Sequence, residues 1–222
     1  MGTIVQSISA RNDAAGTSLG VAQASNPTAG NFLWVIASSA DATMTVADSQ
    51  GHTFTERGTV IEAGIPTRLR HFTAPITSSG ANTVTATFGA SVARRGILVV
   101  EISGVSAWDV QDTQTDTGNN PTDAATVSNT AQPAIGLAYC IDLQGGSPGV
   151  GTGYTSGGQF DTYGSATGGR LEYKAITSVA SQSANFVNAT FSRTITAFAI
   201  FTDGGGGGGS TILRQMMAHH GG

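Results

Sequence analysis

Apolar and polar residues alternate with a period of two in two similar stretches of the chain. The first, Arg68–Phe88, reads RLRHFTAPITSSGANTVTATF, and the second, Arg170–Phe191, reads RLEYKAITSVASQSANFVNATF. In the first copy Val84, Ala86 and Phe88 fall on one face of an extended chain and the intervening threonines on the other, which is typical of a half-buried strand. Each copy is therefore predicted to be a strand, a turn and a second strand.

The second copy aligns with the first at the motif Asn-x-Val-x-Ala-Thr-Phe. This alignment places Val187 and Phe191 at the positions of Val84 and Phe88. Because equivalent strands are expected to face equivalent surroundings, we predict that Val187 and Phe191 are buried as well.

Apolar runs without alternation follow the two copies and also precede them: Phe32–Ala37, Ile97–Ile102, Ala134–Asp142 and Ile195–Phe201. A short run of this kind is typical of a strand that is covered on both faces. Two matching sets of strands, each too small to bury its own apolar side, predict one sandwich built from two similar halves.

The composition supports an all-β fold. Only 11% of the residues are charged and 31 are glycine, which favours short strands and tight turns over helices. We predict an antiparallel β-sandwich domain over residues 1–203, with an internal repeat at about 18–103 and 123–203.

Charge and hydropathy exclude two classes of partner. The net charge is -4 and Arg94-Arg95 is the one basic pair, whereas phosphate binding needs clustered basic residues. We interpret the pair as a solvated turn and expect no nucleic-acid partner. No apolar stretch approaches a membrane span, and Met1–Ala10 lacks the features of a signal peptide, so we expect synthesis in the cytoplasm and no membrane insertion.

The segment Gly104–Thr122 is interpreted as a polar loop between the halves. It contains Asp109, Asp112 and Asp116, with Asp123 directly after it, near Trp108, Asn119 and Asn120. Three interpretations stay open: a calcium site, which needs converging oxygen ligands; a glycan contact with Trp108 as a platform beside Asp109 and Asp112; and a solvated crossover. The spacing of the carboxylates fits no EF-hand.

The remaining candidate residues predict no catalytic site. Trp34 is expected in the core, and His71, which aligns with Tyr173, is expected to point inward and to be hydrogen-bonded. His52 follows a predicted hairpin turn at Asp48–Gly51, with no partner at a metal-ligand spacing. The sequence contains no recognisable Ser-His-Asp order of a serine hydrolase. We therefore expect no cofactor and no enzyme, although paired carboxylates of a hydrolase are brought together only by a fold.

The chain ends in a segment of different character. Gly204–Gly209 is a run of six glycines, predicted to be a flexible linker. Within residues 210–222, a helix would place four apolar side chains on one stripe: Ile212, Leu213, Met216 and Met217. Such a short helix is unstable alone. We interpret it as a segment that docks on a partner, the alternative being a disordered tail.

Four stretches carry a resemblance to a known family: Gly30–Val35, Asp48–Thr55, Gly80–Thr85 and Ile97–Val105. They resemble segments of jelly-roll-type β-sandwich modules found in structural proteins of tailed bacteriophages and in some bacterial surface proteins. The likeness covers about residues 18–203. It implies a jelly-roll-like sandwich and carries no catalytic residues.

The same resemblance implies a non-enzymatic component of the virion surface, such as a capsid decoration protein or a head fibre protein. Its partners would be other virion proteins of the capsid or tail lattice, contacted through the C-terminal segment. We expect a homo-oligomer, a dimer or trimer, because several weak docking segments on one oligomer attach more firmly than one. The alternative is a carbohydrate-binding module or a tail-associated adhesin that binds host-surface glycans.

Overall fold

A computed structural model describes residues 1–40, 42–62, 67–116, 125–143, 146–160, 168–187 and 193–203, and for Asp116 the backbone alone. These residues form strands and no helix, so none of them belongs to a helix that could cross a membrane. The fold is an antiparallel β-sandwich, which confirms the predicted fold class. Its strands are β1 (Thr3–Asn12), β2 (Gly16–Ala22), β3 (Phe32–Ala40), β4 (Met44–Asp48), β5 (Thr55–Glu62), β6 (Thr67–Pro75), β7 (Thr83–Val92), β8 (Arg95–Ser103), β9 (Val105–Asp116), β10 (Thr126–Ser128), β11 (Ala134–Asp142), β12 (Thr155–Phe160), β13 (Gly169–Ile176), β14 (Ser181–Ser183) and β15 (Thr194–Asp203).

The strands of the described chain form four antiparallel sheets. The first large sheet has the order β1-β8-β3-β6-β5, and the first small sheet has the order β2-β7-β4. The second large sheet has the order β9-β15-β11-β13-β12, and the second small sheet pairs β10 with β14. Read in this direction, each strand of the second large sheet takes the place of its counterpart in the first. The sequence repeat is therefore also a repeat of topology, running from β1 to β8 and from β9 to β15.

The four sheets stack as small, large, large, small. A central core lies between the two large sheets, with Trp34 and Leu98 from the first and Tyr139 and Phe201 from the second. Each large sheet packs its other face on the small sheet of its own half. The four apolar runs are the central strands of the large sheets, buried on both faces as predicted.

The two halves meet edge to edge as well as face to face. Strand β5 lies beside β9, and β1 lies beside β12. The strand at one edge of each large sheet, β1 or β9, thus meets the strand at the opposite edge of the other sheet, β12 or β5, as in an isologous dimer contact. Polar contacts join the halves at one edge: Arg193 binds Glu62 with an N–O distance of 2.7 Å, and His71 Nε2 lies 3.0 Å from Gln111 Oε1.

The interpretation of Gly104–Thr122 as a loop is wrong for most of its length. Residues Val105–Asp116 form β9, the longest described strand, which pairs with β15 along the edge of the second large sheet. Its polar side chains are tolerated because residues 106–115 are exposed or only partly buried. Residues 117–122 lie outside the described residues.

Two further expectations need correction. Arg94 is exposed in a turn, with φ of 55°, but Arg95 is buried and donates hydrogen bonds to the carbonyls of Ala14 and Ser18. Val187 is 57% exposed, whereas its neighbour Phe186 is 7% exposed and packs in the core of the second half. An offset of one residue exchanges the two faces of an extended chain. Phe191 lies outside the described residues.

Candidate functional site

A polar cluster lies where β4 ends and the chain crosses from the first small sheet to the first large sheet. The turn after Asp48 includes Gly51 at φ of 75°, a conformation that costs glycine little and other residues more. It returns the chain so that His52 lies over Asp48. The prediction of a hairpin here is wrong, because β4 and β5 belong to different sheets.

Asp48 holds His52 in a single orientation. Its carboxylate accepts the backbone N–H of His52 over 3.0 Å and faces the ring Nδ1 over 2.6 Å. The Nδ2 of Asn82 also donates to Asp48, over 2.9 Å, and to Gln23. The side chains of Asp48 and His52 are fully shielded from solvent. A carboxylate only accepts, so the neutral ring carries its proton on Nδ1 and presents Nε2 as an acceptor.

Ser78 completes the cluster from the loop between β6 and β7. Its Oγ lies 3.5 Å from His52 Nε2 and 3.4 Å from Gln50 Oε1, and the residue is partly exposed. The neighbouring Ser79 has a different role, since its Oγ accepts the N–H of Ala29 over 3.2 Å. The fold therefore places a hydroxyl, an imidazole and a carboxylate in a row, in the order Ser78, His52, Asp48.

An open groove of about 370 Å³ lies on the outer face of the first small sheet. It is lined by Asp48 and Ser49 at the end of β4 and by Ala47, Thr83 and Thr85 on β4 and β7. His52 and Ser78 do not line it, and the side chain of Asp48 is shielded from solvent. The groove is therefore separate from the row of Ser78, His52 and Asp48.

The predicted glycan contacts Trp108, Asp109 and Asp112 all lie on β9, where each has a partner within the fold. Trp108 packs against the central core, and the guanidinium carbon of Arg57 lies 4.1 Å from the centre of its ring system. Burial lowers the pKa of Arg57. The hypothesis of a glycan contact stays a prediction.

The two carboxylates of that set bind the backbone of the following segment. Asp109 accepts the N–H of Thr130 over 2.8 Å, and Asp112 accepts the N–H groups of Thr113 and Thr126 over 2.8 and 2.9 Å. Among the described residues, no three His, Cys, Asp or Glu side chains gather closely enough to hold a metal ion. Asp123 lies outside the described residues, and so does the side chain of Asp116.

A buried carboxylate braces the first half. Glu101 accepts hydrogen bonds from Gln6 Nε2 over 2.6 Å, from the N–H of Thr28 over 2.9 Å and from Asn31 Nδ2 over 2.6 Å. The donors come from β1 and from the turn that leads into β3. Glu101 therefore fixes the turn Asn26–Asn31 to the first large sheet, and its acceptor capacity is used for structure.

A second buried carboxylate is less well satisfied. Glu172 Oε2 accepts the N–H of Gly151 over 2.7 Å, but Oε1 is buried with no hydrogen-bond partner in the described chain. Burial raises the pKa of Glu172 to about 7, with the Gly151 N–H and the charges of Lys174 and Arg170 acting in the opposite direction. Burial in turn lowers the pKa of Lys174. Burial therefore brings the titration of Glu172 close to neutral pH.

The predicted docking residues Ile212, Leu213, Met216 and Met217 lie outside the described residues, as does the glycine run. The last described residue, Asp203, binds the ammonium group of Met1 over 2.7 Å and the N–H of Gly2 over 2.7 Å. The last described residue therefore lies beside the start of β1.

The Asp48–His52–Ser78 row is the arrangement that the sequence interpretation missed. Asp48 and His52 are four residues apart on either side of a glycine turn, which is a signal for their pairing. Ser78 is 26 residues from His52 and carries no motif that would single it out. Its position follows only from the crossing of β6 and β7 between sheets.

No protein-family model and no curated protein matches the chain. The resemblance to phage modules thus rests on the four stretches quoted above. In the structure they take framework positions: Gly30–Val35 leads into β3, Gly80–Thr85 leads into β7, and Ile97–Val105 covers most of β8. Asp48–Thr55 differs, since it also carries part of the polar cluster.

Proposed function

We propose that the chain is a structural protein of a tailed-bacteriophage virion, a capsid decoration or head fibre protein on the particle surface. The observation that supports this best is the four-layer body. Its large sheets are buried on both faces, and its halves are joined by a central core and by fixed polar contacts. Such a body is a rigid block, suited to a role that needs shape and stability.

The resemblance adds the virion context. Three of its four stretches build the framework of the first half, which is the kind of likeness expected between proteins that share an architecture. Glu101, in the Ile97–Val105 stretch, uses its hydrogen-bonding capacity to fix the turn before β3. The shared residues thus serve the fold, as in a structural component.

Attachment is assigned to the C-terminal segment, residues 210–222. Burying Ile212, Leu213, Met216 and Met217 stabilises a complex by about 6 kcal/mol before costs. Ordering a tethered segment consumes much of this free energy. A single copy therefore binds weakly, and a dimer or trimer with several segments binds firmly through a raised effective concentration. Other virion proteins are the proposed partners.

The alternative of a glycan-binding module has less support. A sugar platform needs an aromatic face open to solvent, whereas Trp108 packs on the central core and is covered by Arg57. Asp109 and Asp112 are engaged with backbone N–H groups. The general polarity of the β9 region is therefore the remaining support for the glycan-binding alternative.

The test is a deletion of residues 204–222, with a matched variant that keeps the glycines but replaces Ile212, Leu213, Met216 and Met217 by serine. Thermal melting and incorporation into purified phage particles are measured for both. We expect unchanged melting and lost incorporation in both variants. Normal decoration of particles by either variant would place the anchor on the sandwich instead.

A further inference from the structure

We propose that Ser78 is a nucleophilic serine, activated by His52 and Asp48, which accepts the acyl group of carboxylic esters. This reactivity goes beyond the proposed structural role and does not depend on it. It also differs from the sequence-based expectation that the chain carries no catalytic site.

The orientation of the imidazole carries the inference. Asp48 faces Nδ1 over 2.6 Å, and the Ser78 hydroxyl lies on the opposite nitrogen, Nε2. A serine is activated by a base that is itself oriented by a third group. If His52 only stabilised the turn, its hydrogen bond to Asp48 would be enough, and no hydroxyl group would be needed beside Nε2.

Asp48 is held firmly enough to orient the base. Besides the ring of His52, it accepts a backbone N–H and the side-chain amide of Asn82. Because both side chains are shielded from water, their attraction is screened less than on the surface. The imidazole therefore keeps Nε2 directed at Ser78.

Ser78 has the exposure and freedom that a nucleophile requires. The residue is partly open to solvent, whereas His52 is 6% exposed. Its hydroxyl has two acceptors, His52 Nε2 at 3.5 Å and Gln50 Oε1 at 3.4 Å. Both distances are long, so neither acceptor holds the proton firmly. Catalytic hydrogen bonds of this length are common before substrate binds and tighten in the complex.

The chemical step is an acyl transfer to oxygen. The Oγ of Ser78 bonds to the carbonyl carbon of the ester while its proton passes to His52 Nε2. The carbon–oxygen bond to the alcohol then breaks, and the departing alkoxide takes the proton from His52. The products are an acyl-serine and the free alcohol. Water, deprotonated by the same nitrogen, afterwards releases the carboxylic acid and restores Ser78.

The experiment treats the full chain with a fluorophosphonate, which phosphonylates activated serines, and maps the adduct by peptide mass spectrometry. The other serines of the same chain serve as internal standards. Ser78→Ala is compared with the matched control Ser79→Ala, whose hydroxyl contacts Ala29 and not His52. His52→Gln tests the activation.

We expect the adduct on Ser78, at least tenfold faster than on any other serine, lost in Ser78→Ala and kept in Ser79→Ala. In His52→Gln the rate at Ser78 should fall at least tenfold while circular dichroism stays unchanged. If His52→Gln does not fold, the labelling rates of Ser78 and of the other serines in the wild-type protein still test the proposal. Absence of an adduct, or equal labelling of Ser78 and other exposed serines, would overturn the proposal and leave the cluster as a turn brace.

Discussion

Trp34 and His71 are joined by a hydrogen bond in the middle of the central core. The indole Nε1 donates to Nδ1 of His71 over 3.1 Å, and the two rings meet edge to face at 85°. Both side chains are fully buried. Because an indole nitrogen only donates, Nδ1 must accept, and the proton of the neutral imidazole lies on Nε2, which faces Gln111 Oε1. Protonating His71 would break the bond to Trp34.

This relationship predicts a loss of stability in acid. Burial, together with the charge of Arg57, lowers the pKa of His71 to about 4, against the effect of its bond to Gln111. A base with a lowered folded-state pKa contributes stability above its unfolded pKa of 6.5, and this stability is lost as the pH falls toward 4. The free energy of unfolding should drop by up to roughly 3 kcal/mol across this window.

Urea unfolding of the wild type and of His71→Gln between pH 7 and pH 4 checks this contribution. The variant is expected to be less stable at pH 7 but to lose less stability on acidification. Other carboxylates titrate in both proteins and cancel in the difference. Parallel pH profiles for the two proteins would contradict the assigned role of His71.

Glu172 predicts a pH dependence of the opposite sign. Burial raises its pKa to about 7. The folded protein then holds a proton that the unfolded chain releases, so stability falls as the pH rises from about 4.5 to 7. Glu172→Gln keeps the acceptor for the Gly151 N–H and removes the buried charge. At pH 8 it should be more stable than the wild type by on the order of 1 to 2 kcal/mol, after allowance for screening.

Glu56→Gln is the matched control for this change. Glu56 is an exposed carboxylate that pairs with Arg70, and the median contribution of such a pair is small. Chemical denaturation of both variants at pH 5 and pH 8 gives the comparison. If Glu56→Gln gained as much stability at pH 8 as Glu172→Gln, the gain would come from the change in net charge and not from the burial of Glu172.

Division of the chain at Gly104, between β8 and β9, should give two fragments that cannot stay soluble alone. Each would expose the face of its large sheet that forms the central core, with Trp34 and Leu98 on one fragment and Tyr139 and Phe201 on the other. Exposed apolar patches of this size promote association. Co-expression should restore a soluble complex. Two fragments that each melt cooperatively in isolation would mean that the halves are independent domains.

Calcium should have little effect on stability. The carboxylates of Asp109 and Asp112 already accept backbone N–H groups, so a metal would have to replace these bonds. We expect the same melting temperature in EDTA and in millimolar calcium. A ligand that binds only the folded protein raises the melting temperature. A large calcium-dependent rise would therefore reveal a site that involves other oxygens.

The features that the sequence predicts well are those with a local physical cause. A strand buried on both faces needs apolar residues at every position, so Phe32–Ala37 and Ile195–Phe201 were recognisable as central strands. The buried position of His71 followed from its place in the repeat. The first feature depends on the pattern of a single strand, and the second on the comparison of two similar strands.

The features that it missed depend on distant parts of the chain. Strand β9 has polar side chains and reads as a loop, because its strand character comes from pairing with β15, about 90 residues later. Ser78 contacts His52 only because the loop after β6 folds onto the turn after β4. Val187 shows that an alignment between repeats can identify the motif correctly and still assign a residue to the wrong face, because a shift of one residue exchanges the two faces of a strand.

The edge of each large sheet faces the opposite edge of the other, and this has a consequence for how substitutions act. Two identical subunits must present every surface twice, so a mutation that improves one contact also alters its copy. Because both halves lie in one chain, Arg193 meets Glu62 at one edge without requiring the same pair at the other. Each edge can therefore change its side chains independently.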